Sequence, residues 1–456
     1  MGKRHLVVIS VDALVYEDIA DTRELPLFAE LIRGGTLIKN VLTVYPSLTH
    51  TVHASIVTGQ PAGVTGIVSN TVFTPGETDM PWYNDLSDIK CETIFDLAHA
   101  AGAVTAACRW PVTANAGDRI DFLIPELTDK DLKDAGGDVI RGYMNIGMTE
   151  CLKEIMEDAI ERRHHRHGDG SFVCEPSDKR TVPMSALSSA SLPGTPSHTM
   201  SHVEHPEYDE IQIDCACEII CRYRPDLLLT HPGYVDSERH RTGLFSPYVS
   251  ASVKKSEEWI GRLIQATKDA GIYEDTDFVI LSDHGHLPYS KIVRLNKLFA
   301  DEGLISIDDV GHVTGWEAYA HSSDLSAQIY VSRPEDAELT GRVAGLLRKW
   351  SDEGNAGIED VMTAREAERA YGLKGDFSFV IEAAEGYHFS DEWQGEAIYE
   401  EPPAAPGLGH SAHGHRPEKG PQPVFIGFGP DFEKGKVIDG GSVLEYFAMF
   451  RRILRI

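Results

Sequence analysis

Four short segments, far apart in the chain, carry acidic or imidazole side chains directly after apolar runs. They contain Asp12, Asp236 with His240, Asp283 with His284, and His413. Carboxylates and imidazoles are ligands that zinc accepts, and three of each are enough for two neighbouring divalent ions. The sequence therefore predicts a centre for two metal ions.

Thr49 offers a hydroxyl group at the predicted start of a helix. The residues after it have helical apolar spacing, which ends at Gly59. A lone threonine at this point would be interpreted as a cap, because its hydroxyl can accept a backbone N–H bond. The helix dipole and a metal ion both favour an alkoxide there, so the metal-type residues make Thr49 a candidate nucleophile.

Each candidate ligand also has an ordinary alternative role. Asp12 could cap the helix that follows it. Asp236 and His240 lie one helical turn apart, a spacing that surface loops also contain. Three histidines could fill one ligand position: His410, His413 and His415. We choose His413.

The elements that must position these residues alternate between strands and helices. Strands are predicted at 6–11, 226–230 and 278–282, and helices at 92–101 and 250–270. This alternation predicts a mainly parallel sheet with helices on both faces. Ligands of such sheets bind beyond the carboxyl ends of the strands, where the metal-type residues fall.

We interpret residues 1–456 as one α/β catalytic domain with two insertions. A serine- and proline-rich lid is predicted at 161–210; it begins with the histidine cluster 164–167, which we interpret as a solvated basic patch. An α+β cap is predicted at 301–400. Its elements are a strand at 326–331, a helix at 335–351 and a strand at 377–382. The chain then returns through a strand at 423–427 and a helix at 442–454.

Composition excludes some classes of protein. The formal net charge of −29 lacks the basic surplus that a nucleic-acid polymer requires. An anionic substrate would therefore need a local positive centre, which metal ions would supply. No apolar run reaches the length of a membrane span. Seven cysteines without framework spacing predict a cytoplasmic protein.

The ordered motifs resemble the alkaline phosphatase superfamily, and within it the type I phosphodiesterase/nucleotide pyrophosphatase branch. They are Asp12, Thr49 before His53-Ala54-Ser55-Ile56-Val57-Thr58-Gly59, Asn70, Asp236 with His240, Asp283-His284-Gly285, and His413-Gly414. The resemblance implies an alkaline phosphatase-like, three-layer α/β/α sandwich with a mainly parallel central sheet and an inserted cap.

The resemblance also implies a role for each site residue. One ion would be held by Asp236, His240 and His413, and the other by Asp12, Asp283, His284 and the Thr49 hydroxyl. Asn70, together with the Thr49 backbone N–H, would steady a phosphoryl oxygen. Thr49 would attack phosphorus and form a covalent phospho-threonine, which water would then hydrolyse. The two divalent ions are expected to be Zn²⁺, although Mn²⁺ or iron would also be accepted.

Two departures from the branch alter the walls of the expected site. The usual Pro-Asp-x-x-Gly-His becomes Val-Asp-Ser-Glu-Arg-His at 235–240, and the usual Pro-Asn-His becomes Thr51-Val52-His53. Arg239 or Arg241 could contact a second charged group of the substrate, although such an arginine is more often a solvated loop charge.

The leading hypothesis is a hydrolase of phosphodiester or nucleotide pyrophosphate bonds. A phosphonate hydrolase of the same superfamily and a catalytically silent metal-binding protein are the alternatives. The expected partner is a small phosphate-ester or phosphonate substrate, with no nucleic acid polymer and no membrane. The sequence leaves the substrate, the native metal and the oligomeric state open.

Overall fold

The computed structural model describes residues 4–164 and 205–456. In chain order, its strands are β1 (His5–Ser10), β2 (Thr36–Leu42), β3 (Thr105–Cys108), β4 (Phe122–Ile124), β5 (Leu227–Thr230), β6 (Thr276–Leu281), β7 (Leu287–Arg294), β8 (Ile305–Ile307), β9 (Val313–Trp316), β10 (Ala318–Ser322), β11 (Ser326–Val331), β12 (Ile358–Thr363), β13 (Phe379–Ala383), β14 (Gly386–Ser390), β15 (Ile398–Glu400), β16 (His410–Ala412), β17 (Phe425–Phe428) and β18 (Lys436–Ser442).

The helices alternate with these strands through much of the chain. They are α1 (Tyr16–Ile19), α2 (Pro26–Gly34), α3 (Thr49–Thr58), α4 (Ala62–Thr65), α5 (Ile94–Ala100), α6 (Asp129–Asp134), α7 (Val139–Asn145), α8 (Lys153–His164), α9 (Glu207–Tyr223), α10 (Tyr234–Thr242), α11 (Pro247–Asp269), α12 (Leu295–Asp301), α13 (Ala337–Glu353), α14 (Ala364–Tyr371) and α15 (Tyr446–Leu454).

Eight strands form the central sheet. Their order across the sheet is β18-β2-β17-β6-β1-β5-β3-β4. Neighbouring strands are parallel except at β17, which is antiparallel to both β2 and β6. The three strands predicted first from the sequence, β1, β5 and β6, are adjacent at the centre, so their carboxyl ends lie side by side.

Helices cover both faces of this sheet. Because side chains alternate along a strand, Leu6 and Val8 of β1 pack with α3, α5 and α15, whereas Val7 and Ile9 pack with α2, α9 and α11. The predicted three-layer α/β/α architecture is therefore confirmed. The antiparallel β17 is a difference from simple strand-helix alternation.

A second, antiparallel sheet lies within the predicted cap at 301–400. Its strands follow the order β10-β11-β13-β12, and it has its own apolar core with α12 and α13. A smaller sheet joins β14, β7 and β15, with β16 paired to β7. In that last pair Ala412 lies opposite Leu287, so the residues just before β7 and just after β16 are neighbours.

The predicted lid at 161–210 is described only at its ends. Helix α8 ends at His164, and α9 begins at Glu207. The rest of the lid, with the histidine cluster that we interpret as a basic patch, lies outside the described residues. Within residues 4–164 and 205–456, no helix is both long enough and apolar enough to cross a membrane.

Candidate active site

Thr49 is the first residue of helix α3, where the sequence predicts a helix start. The N-cap residue is Leu48, and no side chain caps this helix end. The Thr49 hydroxyl therefore does not act as a helix cap. Its Oγ1 lies 3.3 Å from His284 Nε2, and the side chain is largely buried.

Asn70 lies beside the first turn of the same helix. Its Oδ1 accepts a hydrogen bond of 2.9 Å from the backbone N–H of His50. This contact fixes the carboxamide one residue from Thr49 and leaves its Nδ2 as a donor for another group. N–H groups in the first helical turn have no partner within the helix, so such a turn can bind an anion.

Asp12, Asp283 and His284 converge at the carboxyl ends of β1 and β6. His284 Nε2 lies 3.4 Å from Asp12 Oδ1 and 3.2 Å from Asp283 Oδ2. Both of these carboxylate oxygens are buried, and among the described residues neither has a hydrogen-bond partner. Two orphaned anionic oxygens beside one imidazole nitrogen are the donor set of a cation site.

Asp236, His240 and His413 form the second group. Asp236 and His240 lie one turn apart on α10, and His240 Nε2 is 3.4 Å from Asp236 Oδ1. His413 Nδ1 bonds to the Ser47 carbonyl at 3.0 Å, and its Nε2 is 3.9 Å from Asp236 Oδ1. The Asp236 carboxylate also lies near Asp12 and His284, so the two groups are neighbours.

The other two histidines of the 410–415 segment have different partners. His410 Nε2 lies 3.0 Å from the Pro402 carbonyl, and His415 Nε2 lies 3.2 Å from the Lys419 carbonyl. Of the three, the structure brings His413 to Asp236.

The electrostatics of the first group, Asp12, Asp283 and His284, favour a bound cation. Burial, with the neighbouring Asp283 and Asp236 carboxylates, raises the pKa of Asp12 well above its usual range. Burial also raises the pKa of Asp283 to about 7. Burial acts in the opposite sense on His284 and holds its pKa well below the usual range, which keeps the imidazole neutral. Adjacent carboxylates that resist ionising together, beside a neutral imidazole, form a site where a cation would allow both carboxylates to ionise.

The distances fit this interpretation. Two atoms bound to one tetrahedral zinc ion at about 2.0–2.1 Å are about 3.3–3.4 Å apart. The separations between donors in the two groups, from 3.2 to 3.9 Å, lie near this value. The residues at hand therefore fit two divalent ions with nitrogen and oxygen ligands.

Three histidines that the sequence analysis did not choose also line the site. One is His53 on α3, whose Nδ1 lies 3.7 Å from Asp283 Oδ2. The other two are His231 and His286. His231 Nε2 lies 3.1 Å from Asp12 Oδ2, and His286 Nε2 lies 2.7 Å from Asp236 Oδ1. Each follows a strand end, as the chosen residues do: His231 follows β5, and His286 follows β6 by five residues. This position was the available signal, but no spacing rule distinguishes such residues from the ligands.

Arg239 and Arg241 have different surroundings, and only Arg239 departs from both expectations. Arg239 is fully buried; its guanidinium pairs with Asp18 and also bonds to the Ala13 carbonyl at 3.1 Å. Arg241 pairs with Glu238 at 2.7 Å. The alternatives of a substrate contact and a solvated loop charge were therefore both wrong for Arg239, which ties α10 to α1.

The sequence matches the family described as type I phosphodiesterase/nucleotide pyrophosphatase over residues 6–414. The chain belongs to this family. The family predicted from the motif series is thereby confirmed, and a hydrolase is the enzyme class that agrees with it.

Among curated proteins of this kind, an uncharacterised pyrophosphatase/phosphodiesterase of Schizosaccharomyces pombe is 31% identical over 112 residues. The matched segment covers 24% of this chain and 22% of that protein. The chain therefore aligns with less than a quarter of that relative.

Solved structures of the phosphodiesterase family share the fold over nearly the whole chain. Murine ectonucleotide pyrophosphatase/phosphodiesterase 5 has a TM-score of 0.62 at 16% identity, covering 99% of this chain and 95% of that one. An inactive form of the murine protein in complex with AMP has a TM-score of 0.61 at 18% identity, covering 100% and 96%. The human protein has a TM-score of 0.61 at 16% identity, covering 99% and 95%.

Proposed function

We propose that this protein is a metal-dependent hydrolase of phosphodiester or nucleotide pyrophosphate bonds, with Thr49 as its nucleophile. The observation that carries the proposal is the position of Thr49. Its hydroxyl lies 3.3 Å from His284 Nε2, at the first turn of a helix and beside two groups of metal-type donors. A structural threonine in this fold would not need both groups around its hydroxyl.

Two sets of residues would hold the two divalent ions. Asp12, Asp283 and His284 would hold one divalent ion, and Asp236, His240 and His413 the other. Such ions, when bound, neutralise phosphate charge and stabilise the attacking and leaving oxygens.

The Thr49 hydroxyl loses its proton and attacks phosphorus in line with the leaving alcohol or phosphate. A phospho-threonine forms as the bond to the leaving group breaks, and the leaving oxygen takes up a proton. Asn70 Nδ2 and the backbone N–H of Thr49 donate to the non-bridging oxygens, so charge that develops in the transition state is stabilised. Water then attacks the threonine-bound phosphoryl group, which still carries its other ester group; it leaves as a phosphate monoester, and the Thr49 hydroxyl is restored.

The proposed substrate is a small nucleotide ester or another small phosphodiester. The AMP complex of the murine relative supports a nucleotide. His50, which follows the nucleophile, is buried, and its ring packs at a tilt against Trp82 with the ring centroids 4.9 Å apart, so aromatic side chains lie beside Thr49.

The test uses two chromogenic esters with one leaving group, a phosphodiester and a phosphomonoester. We expect hydrolysis of the diester to be faster, to stop with a chelator, and to return with zinc. Thr49→Val should abolish turnover and retain most of the metal, because three protein ligands per ion remain. Thr58→Val is the matched control: it changes another buried threonine of α3, at the opposite end of the helix from Thr49, and should keep its activity. Full activity of Thr49→Val would contradict the proposal.

We also propose that the protein works in a reducing compartment such as the cytoplasm. Six cysteines lie in the described residues, and all six are free: Cys91, Cys108, Cys151, Cys215, Cys217 and Cys221. A reducing environment maintains free thiols, which supports this location. Fractionation of the native host would test it, and recovery in an oxidising compartment would contradict it.

A further inference from the structure

His286 is a fully buried histidine at the edge of the second donor group. Its Nε2 lies 2.7 Å from Asp236 Oδ1. Its ring centroid lies 4.6 Å from that of His240 and 5.2 Å from that of His413. By proximity alone, His286 would be a fourth ligand with Asp236, His240 and His413.

The distances separate His286 from these ligands. Two ligand atoms of one tetrahedral ion lie about 3.3–3.4 Å apart, and His240 Nε2 and His413 Nε2 are 3.4 and 3.9 Å from Asp236 Oδ1. The 2.7 Å from His286 Nε2 to the same oxygen is too short for a ligand pair of this geometry. It is the length of a charge-assisted N–H···O hydrogen bond.

We propose that His286 is a positioning residue, which donates its Nε2–H to Asp236 Oδ1 and fixes this carboxylate for metal binding. This inference rests on the proposed function, because it assigns Asp236 to a metal ion. A ligand whose second contact is held by a neighbouring group keeps one orientation, so it is already positioned when the ion binds.

The other ring nitrogen explains why His286 keeps its orientation. His286 Nδ1 lies 3.0 Å from Ser411 Oγ on β16, which can donate its proton to that nitrogen. Ser411 Oγ is also 2.8 Å from the Arg239 carbonyl on α10, and that carbonyl accepts the Gly243 N–H at 2.9 Å as well. The Arg239 carbonyl therefore remains paired when Ser411 turns its proton toward His286.

His286 thus connects the end of β6 to the two segments that supply the second donor group. It follows β6, it contacts Asp236 on α10, and it contacts Ser411, two residues before His413. The Asp236 carboxylate also lies beside Asp12 and His284. The orientation of the Asp236 carboxylate therefore affects both proposed metal positions.

The experiment compares two amides at this position in the full-length protein. His286→Gln places an amide N–H close to the former Nε2 and retains a donor for Asp236. His286→Asn places its amide near the former Nδ1, so it keeps the Ser411 contact and loses the donor. We would measure zinc stoichiometry and affinity by competition with a chromophoric chelator, and count imidazole ligands by X-ray absorption.

We expect His286→Asn to weaken the affinity for one of the two ions by about 10- to 100-fold. His286→Gln should recover most of that affinity, and its count of zinc-bound imidazoles should equal that of the wild type. His240→Gln, which removes a proposed ligand, provides the reference for losing one imidazole. Thermal melting of each metal-free variant shows that the fold is retained.

Two results would overturn the proposal. If His286→Gln lost an imidazole and an ion as His240→Gln does, His286 would be a ligand. If His286→Asn bound both ions as tightly as the wild type, His286 would have no role at this centre. A wild-type protein that bound two ions but hydrolysed no ester would contradict the proposed function and leave this test intact.

Discussion

Gly414 offers a sharp perturbation of the proposed metal centre, because it adjoins His413 and has no room for a side chain. Its φ is +83°, and a Cβ placed on it would lie 1.8 Å from the Ser323 carbonyl oxygen. The surrounding backbone is held on two sides. The Gly414 N–H bonds to the Ser47 carbonyl at 3.0 Å, and the Leu325 N–H bonds to the His413 carbonyl at 3.1 Å.

Gly414→Ala should therefore be costly. A carbon and a carbonyl oxygen in contact lie about 3.3 Å apart, so the two backbone segments would have to separate by about 1.5 Å. The left-handed conformation costs alanine about 1–2 kcal/mol, and overpacking adds about 1–3 kcal/mol. We expect a loss of about 2–5 kcal/mol in the free energy of unfolding, and about 100-fold lower activity because His413 is displaced by about 1 Å.

Two other glycines of the same segment separate the causes. Gly407 has a φ of +85°, and a Cβ there would meet nothing within 4 Å. Gly407→Ala should therefore show only the conformational cost and keep its activity. A Cβ on Gly409 would also meet nothing within 4 Å, and Gly409 does not have a left-handed φ. Gly409→Ala should therefore resemble the wild type. Melting temperature, zinc content and turnover of the diester would be measured for all three variants.

The reasoning would be refuted if Gly414→Ala had the same melting temperature as Gly407→Ala and hydrolysed the diester at the wild-type rate. That result would mean that the segment around His413 can move without consequence for the site. If Gly414→Ala lost stability but kept its full zinc content and full activity, only the proposed link to His413 would be refuted.

Two further predictions concern buried charged groups other than the proposed metal ligands. Burial raises the pKa of Glu126 from 4.5 to about 7. The folded protein therefore keeps this proton longer than the unfolded chain, and Glu126 should cost up to about 3 kcal/mol as pH rises from about 4.5 to 7. Urea unfolding at pH 5 and 8 should show a smaller decline for Glu126→Gln than for the wild type, and equal declines would contradict the assignment. Arg239→Met should lower the free energy of unfolding by about 3–5 kcal/mol, because it leaves the buried Asp18 carboxylate unpaired. Asp18→Asn combined with Arg239→Met should recover part of that loss, and if it recovered nothing, the cost would come from packing instead.

The sequence predicted the parts of the fold that depend on local pattern. Apolar runs located β1, β5 and β6, and helical spacing placed Thr49 at a helix start and Asp236 with His240 on one helix. These features follow from continuous apolar runs and from the helical period of 3.6 residues, which a single segment displays. The antiparallel direction of β17 could not be predicted in this way, because it depends on how distant strands pair.

The residue types of the site could be predicted from the sequence, but the contacts between these residues could not. Asp-His pairs at strand ends pointed to a metal centre, and the structure brings those residues together. The sequence did not distinguish His231 and His286 from the chosen histidines, because their roles depend on single oxygens of Asp12 and Asp236. Arg239 was misjudged for a similar reason: its partner Asp18 lies more than 200 residues away.

The order of the donor residues along the chain has a consequence for biosynthesis. The two groups use residues from Asp12 to His413, and the second group is incomplete until the return from the cap has been made. A ribosome that has produced the first three hundred residues has supplied five of the six donors that we propose, but not His413. The second ion can therefore meet all three of its proposed ligands only after His413 has been synthesised, whereas the three proposed ligands of the first ion are present by residue 284.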